Sequence, residues 1–252
     1  MKQKRKEINS IIEPQFSSEG GGTWWYRTLT PADNALSKPF LGLEIFRTGE
    51  SNLEPPTPKT KELRDVSFYQ FLVDGKYSLR VDNDKVEQLK AGDFIAFNAG
   101  SNTILEEVFL PVYGKLEGFR LRVNQNNRAK QTRSIDINPN HSKSFFHHRT
   151  VQVQELLGSF QINLKGEEVL PSAVNIFNVS LQKNTSFEWK PPQDHNVMIF
   201  VFQGRGIFGP YAGEDELLVP RYQLLLFGEG DEIYARTEDT PLRFLVITGS
   251  NK

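Results

Sequence analysis

Short apolar runs recur along the whole chain, each closed by Gly, Asp, Asn or Pro. FYQFLV (68–73), DFIAF (93–97), GFRLRV (118–123), AVNIFNVSL (173–181), NVMIFVF (196–202), YQLLLF (222–227), DEIYAR (231–236) and LRFLVIT (242–248) are of this kind. They are rich in Val, Ile, Phe and Tyr and are bounded by turn residues, the pattern of β-strands in a sandwich or barrel. No long stretch has the period of an amphipathic helix. Only VQVQELL (151–157) and the turn around 84–90 have room for a helical turn or two.

The runs also repeat. FLVDG (71–75) matches FVFQG (200–204), and AGDFIAF (91–97) matches PRYQLLL (220–226); from 71 to 200 and from 91 to 220 the shift is 129 residues. Two matched strand units at one shift predict a duplicated β-domain. The polar, punctuated stretch between about 125 and 145 reads as the linker. The expected division is an N-terminal domain over 1–138 and a C-terminal domain over 139–252.

Composition removes several classes of function. The chain has 252 residues and no cysteine, which excludes disulfides, thiolate metal ligands and a cysteine nucleophile. With 30 basic and 31 acidic residues its formal charge is -1, and no general field favours nucleic acid or an anionic membrane. No run reaches the length of a membrane span, and the start lacks a signal-peptide core. A soluble cytoplasmic monomer is expected, without nucleic-acid or membrane partners. Lys4-Arg5-Lys6 reads as a solvated, frayed terminus.

Chemistry-bearing motifs are few. Walker, Rossmann and Gly-x-Ser-x-Gly patterns are absent, and GRGIFG (204–209) reads as a strand turn. Glu106 and Glu107 are adjacent, so a strand turns them to opposite faces and excludes paired acid–base work. His141, His147 and His148 lie near the linker, where adjacent residues diverge rather than share a metal. His195 reads as a capping or surface residue. The Trp24-Trp25-Tyr26 and Phe145-Phe146 clusters read as packing aromatics.

A strand ending in Gly, some fifteen residues, an Ala-Gly-Asp turn and a second strand form the cupin pattern. KPFLGLEIFR (38–47), LRDVSFYQFLVDG (63–75), AGDFIAFNAGSNTILEE (91–107) and LEGFRLRVN (116–124) resemble the pirin family in that order and spacing. The second half, with NVMIFVFQGRGIFG (196–209) and FGEGDEIYARTEDTPLRFLVITG (227–249), looks like that family's C-terminal cupin. The resemblance implies an all-β fold of two tandem cupin-type barrels.

It also implies where a metal would sit. Pirins hold one metal, usually iron, on three histidines and a glutamate in the N-terminal barrel. At the matching positions this chain has Lys61, Leu63, Leu105 and Glu107, and keeps the motif arginine as Arg64. One carboxylate does not hold a divalent ion, and an ammonium repels it. The expected site is therefore a pocket of Lys61, Leu63, Arg64, Leu105 and Glu107, with Tyr69 at its base. There either Lys61 takes the cation's place and pairs with Glu107, or it points to solvent from a loop and leaves Glu107 wetted or protonated. The second-barrel positions at the same shift, Lys190, Pro192, Tyr234 and Arg236, make no metal set. The expected function is non-catalytic, with no cofactor: binding a small ligand, or a regulatory protein partner. The alternative is a quercetin 2,3-dioxygenase-type enzyme, which requires iron or another divalent metal.

Overall fold

The computed structural model describes residues 4–18, 23–27, 40–48, 58–64, 66–82, 87–99, 103–124, 134–138, 144–158, 174–211 and 213–250. All of its regular elements are strands. The first twelve are β1 (Ile8–Ile12), β2 (Gln15–Ser18), β3 (Thr23–Arg27), β4 (Phe40–Thr48), β5 (Lys59–Leu63), β6 (Val66–Asp74), β7 (Lys76–Val81), β8 (Glu87–Lys90), β9 (Phe94–Asn98), β10 (Thr103–Leu110), β11 (Glu117–Asn124) and β12 (Ser134–Asn138). They are followed by β13 (Ser144–His148), β14 (Val151–Leu157), β15 (Val174–Leu181), β16 (Ser186–Trp189), β17 (His195–Gln203), β18 (Arg205–Gly209), β19 (Leu217–Pro220), β20 (Gln223–Phe227), β21 (Ile233–Arg236) and β22 (Leu242–Ser250). The two segments with room for helical turns are strands as well: 151–157 is β14, and 84–90 contains β8.

The duplication is explicit in the sheet order. One unit pairs a seven-stranded sheet, β12-β9-β6-β11-β4-β3-β2, with a four-stranded sheet, β5-β10-β7-β8. The other pairs β1-β20-β17-β22-β15-β14-β13 with β16-β21-β18-β19. Strand for strand the two orders correspond, and β17 is β6 shifted by the expected 129 residues, 66–74 against 195–203. In each unit the alternate residues of the two sheets face one another and close an apolar core. Phe46, Phe68, Leu72, Tyr77, Leu79, Ile95, Phe97, Leu105 and Phe109 belong to the first core. Phe177, Phe187, Trp189, Val197, Ile199, Phe208, Ala235, Phe244 and Val246 belong to the second.

The outer strand of the second seven-stranded sheet, β1, breaks the simple order. The compact units are Gln15–Ala32 with Phe40–His141, and Ser142–Lys252 with Met1–Pro14 among its other parts. Strand β1 pairs with β20, Ile8 opposite Phe227 and Ile12 opposite Leu224. The division at 138/139 assigns residues 1–14 to the first half, whereas their backbone bonds lie in the second. Nor is Lys4-Arg5-Lys6 a frayed end. Lys6 Nζ donates to the Gly228 carbonyl at 2.8 Å, Arg5 lies over the Tyr234 ring at 3.6 Å, and the Lys6 amide donates to the Glu232 carbonyl. A basic run carries no local signal of the strand it will meet. Among the described residues no helix is long and apolar enough to cross a membrane.

Candidate functional site

Strand β10 runs between β5 and β7, with Leu105 opposite Lys61 and Val81, and Glu107 opposite Lys59 and Leu79. Opposed residues of an antiparallel pair share a face. Since Leu79, Val81 and Leu105 are core residues, Lys59, Lys61 and Glu107 face the barrel interior with them. Leu63, two residues beyond Lys61, packs against the same core. Four of the six sequence-derived site residues, Lys61, Leu63, Leu105 and Glu107, thus converge on one interior.

The other two do not. Arg64 points outward, pairs with Glu62 at 2.9 Å and is 69% exposed. Tyr69 lies on the opposite face of β6 from Phe68 and Gln70, stacked on Phe94. A single step along a strand reverses the side chain, and each of these residues is one step from an inward neighbour. Glu106 likewise faces outward, 3.8 Å from Arg80.

The partner of Glu107 is a residue not anticipated from the sequence. Glu107 is fully buried, and Lys61 Nζ stands 3.9 Å from its Oε2. Arg120 of β11 reaches the carboxylate with two nitrogens, Nη1 donating to Oε2 at 3.2 Å and Nη2 to Oε1. The Tyr77 hydroxyl donates to Oε1 at 2.5 Å. Arg120 Nε donates to Gln70 Oε1 at 2.9 Å, and Nη2 donates to the same oxygen. The guanidinium lies 4.4 Å from the Phe68 ring centroid. Lys61 is therefore the looser, outer cation of a site whose inner cation is Arg120.

Burial and charge explain the ionisation. Burial pushes the Glu107 carboxyl up, but the Arg120 guanidinium, its hydrogen bonds, Lys61 and the Tyr77 hydroxyl outweigh it, so the group sits below its usual value of 4.5. Burial also opposes the charge on Arg120, but Glu107 overrides it and keeps the guanidinium protonated. Burial and then Glu107 hold the Tyr77 phenol well above its usual value, as a neutral donor. Beside the cluster, Arg122 pairs with buried Glu44 at 2.9 Å.

A divalent metal requires several converging nitrogen or oxygen donors. Among the described residues the interior offers Glu107, already engaged by a guanidinium and a phenol with an ammonium beside it, and Glu44, paired with Arg122. These residues do not fit such an ion. Among the described residues no three His, Asp or Glu side chains gather anywhere. His141 lies outside the described residues, as do the side chains of His147 and His148. His195 is described, and it is neither exposed nor a cap. It is buried at the start of β17, with Nδ1 3.0 Å from Thr248 Oγ1, which accepts from Asn175 Nδ2 at 3.1 Å.

The second barrel supplies an internal control. Arg120 faces Gln70 across β11 and β6, and the corresponding pair is Val246 and Ile199. Glu107 faces Leu79, and its counterpart Ala235 faces Phe208. Leu105 corresponds to Ile233, and Lys61, opposite Leu105, to Trp189, opposite Ile233. The matching residues are therefore Trp189, Ile233 and Ala235. Tyr234 and Arg236, expected from a constant shift, are one step off and face outward, because the shift is 128 here. Gln70, Glu107 and Arg120 thus have the apolar counterparts Ile199, Ala235 and Val246, and Lys61 has Trp189.

Gln70 and Arg120 each left a trace in the sequence. Gln70 interrupts the apolar run FYQFLV, and Arg120 alternates with Phe119 and Leu121 in GFRLRV. Such alternation reads as a wet face, and nothing local shows that the second sheet covers it.

No protein-family model matches the chain, and no curated protein matches it by sequence. Solved structures do. Quercetin 2,3-dioxygenase from Acinetobacter baumannii superposes with a TM-score of 0.81 at 18% identity, over 98% of this chain and 88% of that one. GK1651 from Geobacillus kaustophilus gives 0.78 at 18%, over 98% and 97%. The bacterial pirin YhhW from Escherichia coli, in complex with nickel(II), gives 0.68 at 11%, over 96% and 98%. With two barrels of corresponding strand order and these neighbours, the chain has the pirin-like bicupin fold.

Proposed function

We propose that this protein is a bicupin that has lost its metal site and works as a small-ligand-binding protein, its N-terminal barrel being the binding site. One observation carries this reading: the interior of that barrel is built around the Glu107–Arg120 pair, and the same positions of the second barrel are apolar. The fold is thus built once without the charges. Replacing a buried ion pair by hydrocarbon is often neutral or stabilising, so the pair is not explained by stability alone. A regulatory role through a protein partner would follow from ligand occupancy of the same barrel.

The superposition on a quercetin 2,3-dioxygenase favours a second reading, a metal-dependent dioxygenase. Fold alone is a poor guide to activity, and the donor set weighs against it. Elemental analysis of the untagged protein, before and after incubation with ferrous iron, separates the two. The binding protein carries no stoichiometric transition metal and does not consume oxygen with quercetin. One metal per chain, with oxygen uptake, would establish the dioxygenase.

A further inference from the structure

Among the residues whose side chains are described, the inward faces of the N-terminal barrel carry more cations than anions. Among the described residues, Lys59, Lys61, Arg120 and Arg122 lie on the inward faces of β5 and β11, against Glu44 and Glu107 on β4 and β10. That is four cations to two anions. Arg120 bonds Glu107 and Gln70, and Arg122, 33% exposed, bonds Glu44. Lys61 reaches from the solvent side to the buried Glu107 carboxylate. Its side chain is 24% exposed while Glu107 has no exposure, and its 3.9 Å separation is long for an ion pair.

A second observation is independent of charge. Gln70 is buried, at 2% exposure. Its Oε1 accepts twice from Arg120, which fixes the amide orientation. The amide nitrogen is then turned away from the guanidinium, and it has no hydrogen-bond partner among the described residues. Buried donors are nearly always satisfied, and an orphan calls for an acceptor that the protein itself does not provide.

We infer that the N-terminal barrel binds a small organic carboxylate, with Lys61 supplying the cation at the entrance and the Gln70 amide donating to an oxygen of the ligand. The inference rests on the metal-free binding reading above and names its ligand class. A carboxylate matches the surplus charge and supplies acceptor oxygens. The aromatic rings of Phe68, Tyr77 and Phe97 in the same core favour an apolar body behind the acid group. A divalent metal meets none of these requirements.

The test is calorimetric titration of the full-length protein with acetate, benzoate and phenylacetate, each paired with its neutral amide, on samples whose metal content is measured. Expected is saturable binding of at least one carboxylate, tightest for an aromatic acid, and at least about tenfold weaker binding of the matching amide. Lys61→Met, a change at a partly exposed position, is expected to keep the wild-type far-UV spectrum and to weaken carboxylate binding about tenfold. Equal binding of acid and amide would overturn the carboxylate while sparing the ligand-binding reading. Metal-free protein that binds no acid sinks the inference. Stoichiometric metal sinks the functional reading beneath it.

Discussion

Arg120 and Glu107 bond across the interior of the N-terminal barrel from neighbouring positions on different sheets, β11 and β10, with 2% and 0% of their side chains exposed. A buried pair of this kind depends on both members. Removing one leaves an uncompensated charge, while removing both leaves only a packing problem. Arg120→Met and Glu107→Leu are each expected to lower unfolding free energy by about 3–5 kcal/mol. The double variant should recover most of that loss, because the second barrel already folds with Val246 and Ala235 at these places. Urea denaturation of the three variants measures the coupling. Additive losses would show that the pair is not a unit.

Tyr77→Phe removes the 2.5 Å hydrogen bond to Glu107 Oε1 and the longer, 3.4 Å one that the hydroxyl accepts from Arg120 Nη2. A hydrogen bond to a buried charge contributes about 1.5–3 kcal/mol. Loss in that range is expected, with a smaller effect if Arg120 closes onto the vacated oxygen. The same urea titration reports it.

Acid should act in two stages. Burial lowers the His195 imidazole below its usual 6.5, against the weaker pull of Asp194. A group whose folded value is depressed contributes stability that is complete above the unfolded value and is lost as pH falls towards the folded one. The His195 contribution therefore declines as pH drops below about 6.5. Glu107, also depressed, contributes fully above 4.5, and that contribution disappears at lower pH. Urea midpoints between pH 8 and pH 3 should step down twice. His195→Gln should abolish the upper step and leave the lower one.

The turn between β17 and β18 needs glycine. Gly204 has φ +77°, and a Cβ there would lie 2.0 Å from the Pro241 carbonyl oxygen. Gly92 has φ +93° with nothing near the same position. Both alanine variants carry the left-handed strain of about 1–2 kcal/mol. Gly204→Ala must also displace backbone, so its melting temperature should fall clearly further than that of Gly92→Ala. Equal losses would remove the steric part of this account.

Deleting residues 1–14 strips β1 from β20 and removes the Lys6–Gly228 contact. The bared edge, Leu224 to Phe227, is apolar, and exposed apolar edges pair with other chains. The truncated protein is expected to melt earlier and to aggregate on size-exclusion chromatography. A monodisperse product with the full-length melting temperature would count against this role for β1.

The sequence by itself determined the strands, the duplication and the inward set Lys61, Leu63, Leu105 and Glu107. Local alternation and a repeated turn carry the strands and the duplication, the resemblance to pirins implied the inward set, and burial of one face fixes the register. It also separated Glu106 from Glu107, because pleating is a local property. Tertiary structure alone decided the rest. Whether GFRLRV shows Arg120 to water or to Glu107 depends on a second sheet that no neighbouring residue encodes. Whether Lys4-Arg5-Lys6 frays or docks depends on residues 228–234, more than two hundred residues away in sequence. Tyr69 and Arg64 fell outside the site because one step along a strand reverses a face. The charged centre is a non-local object: its members come from four strands, and only the closed barrel brings Gln70, Tyr77, Glu107 and Arg120 within hydrogen-bonding distance.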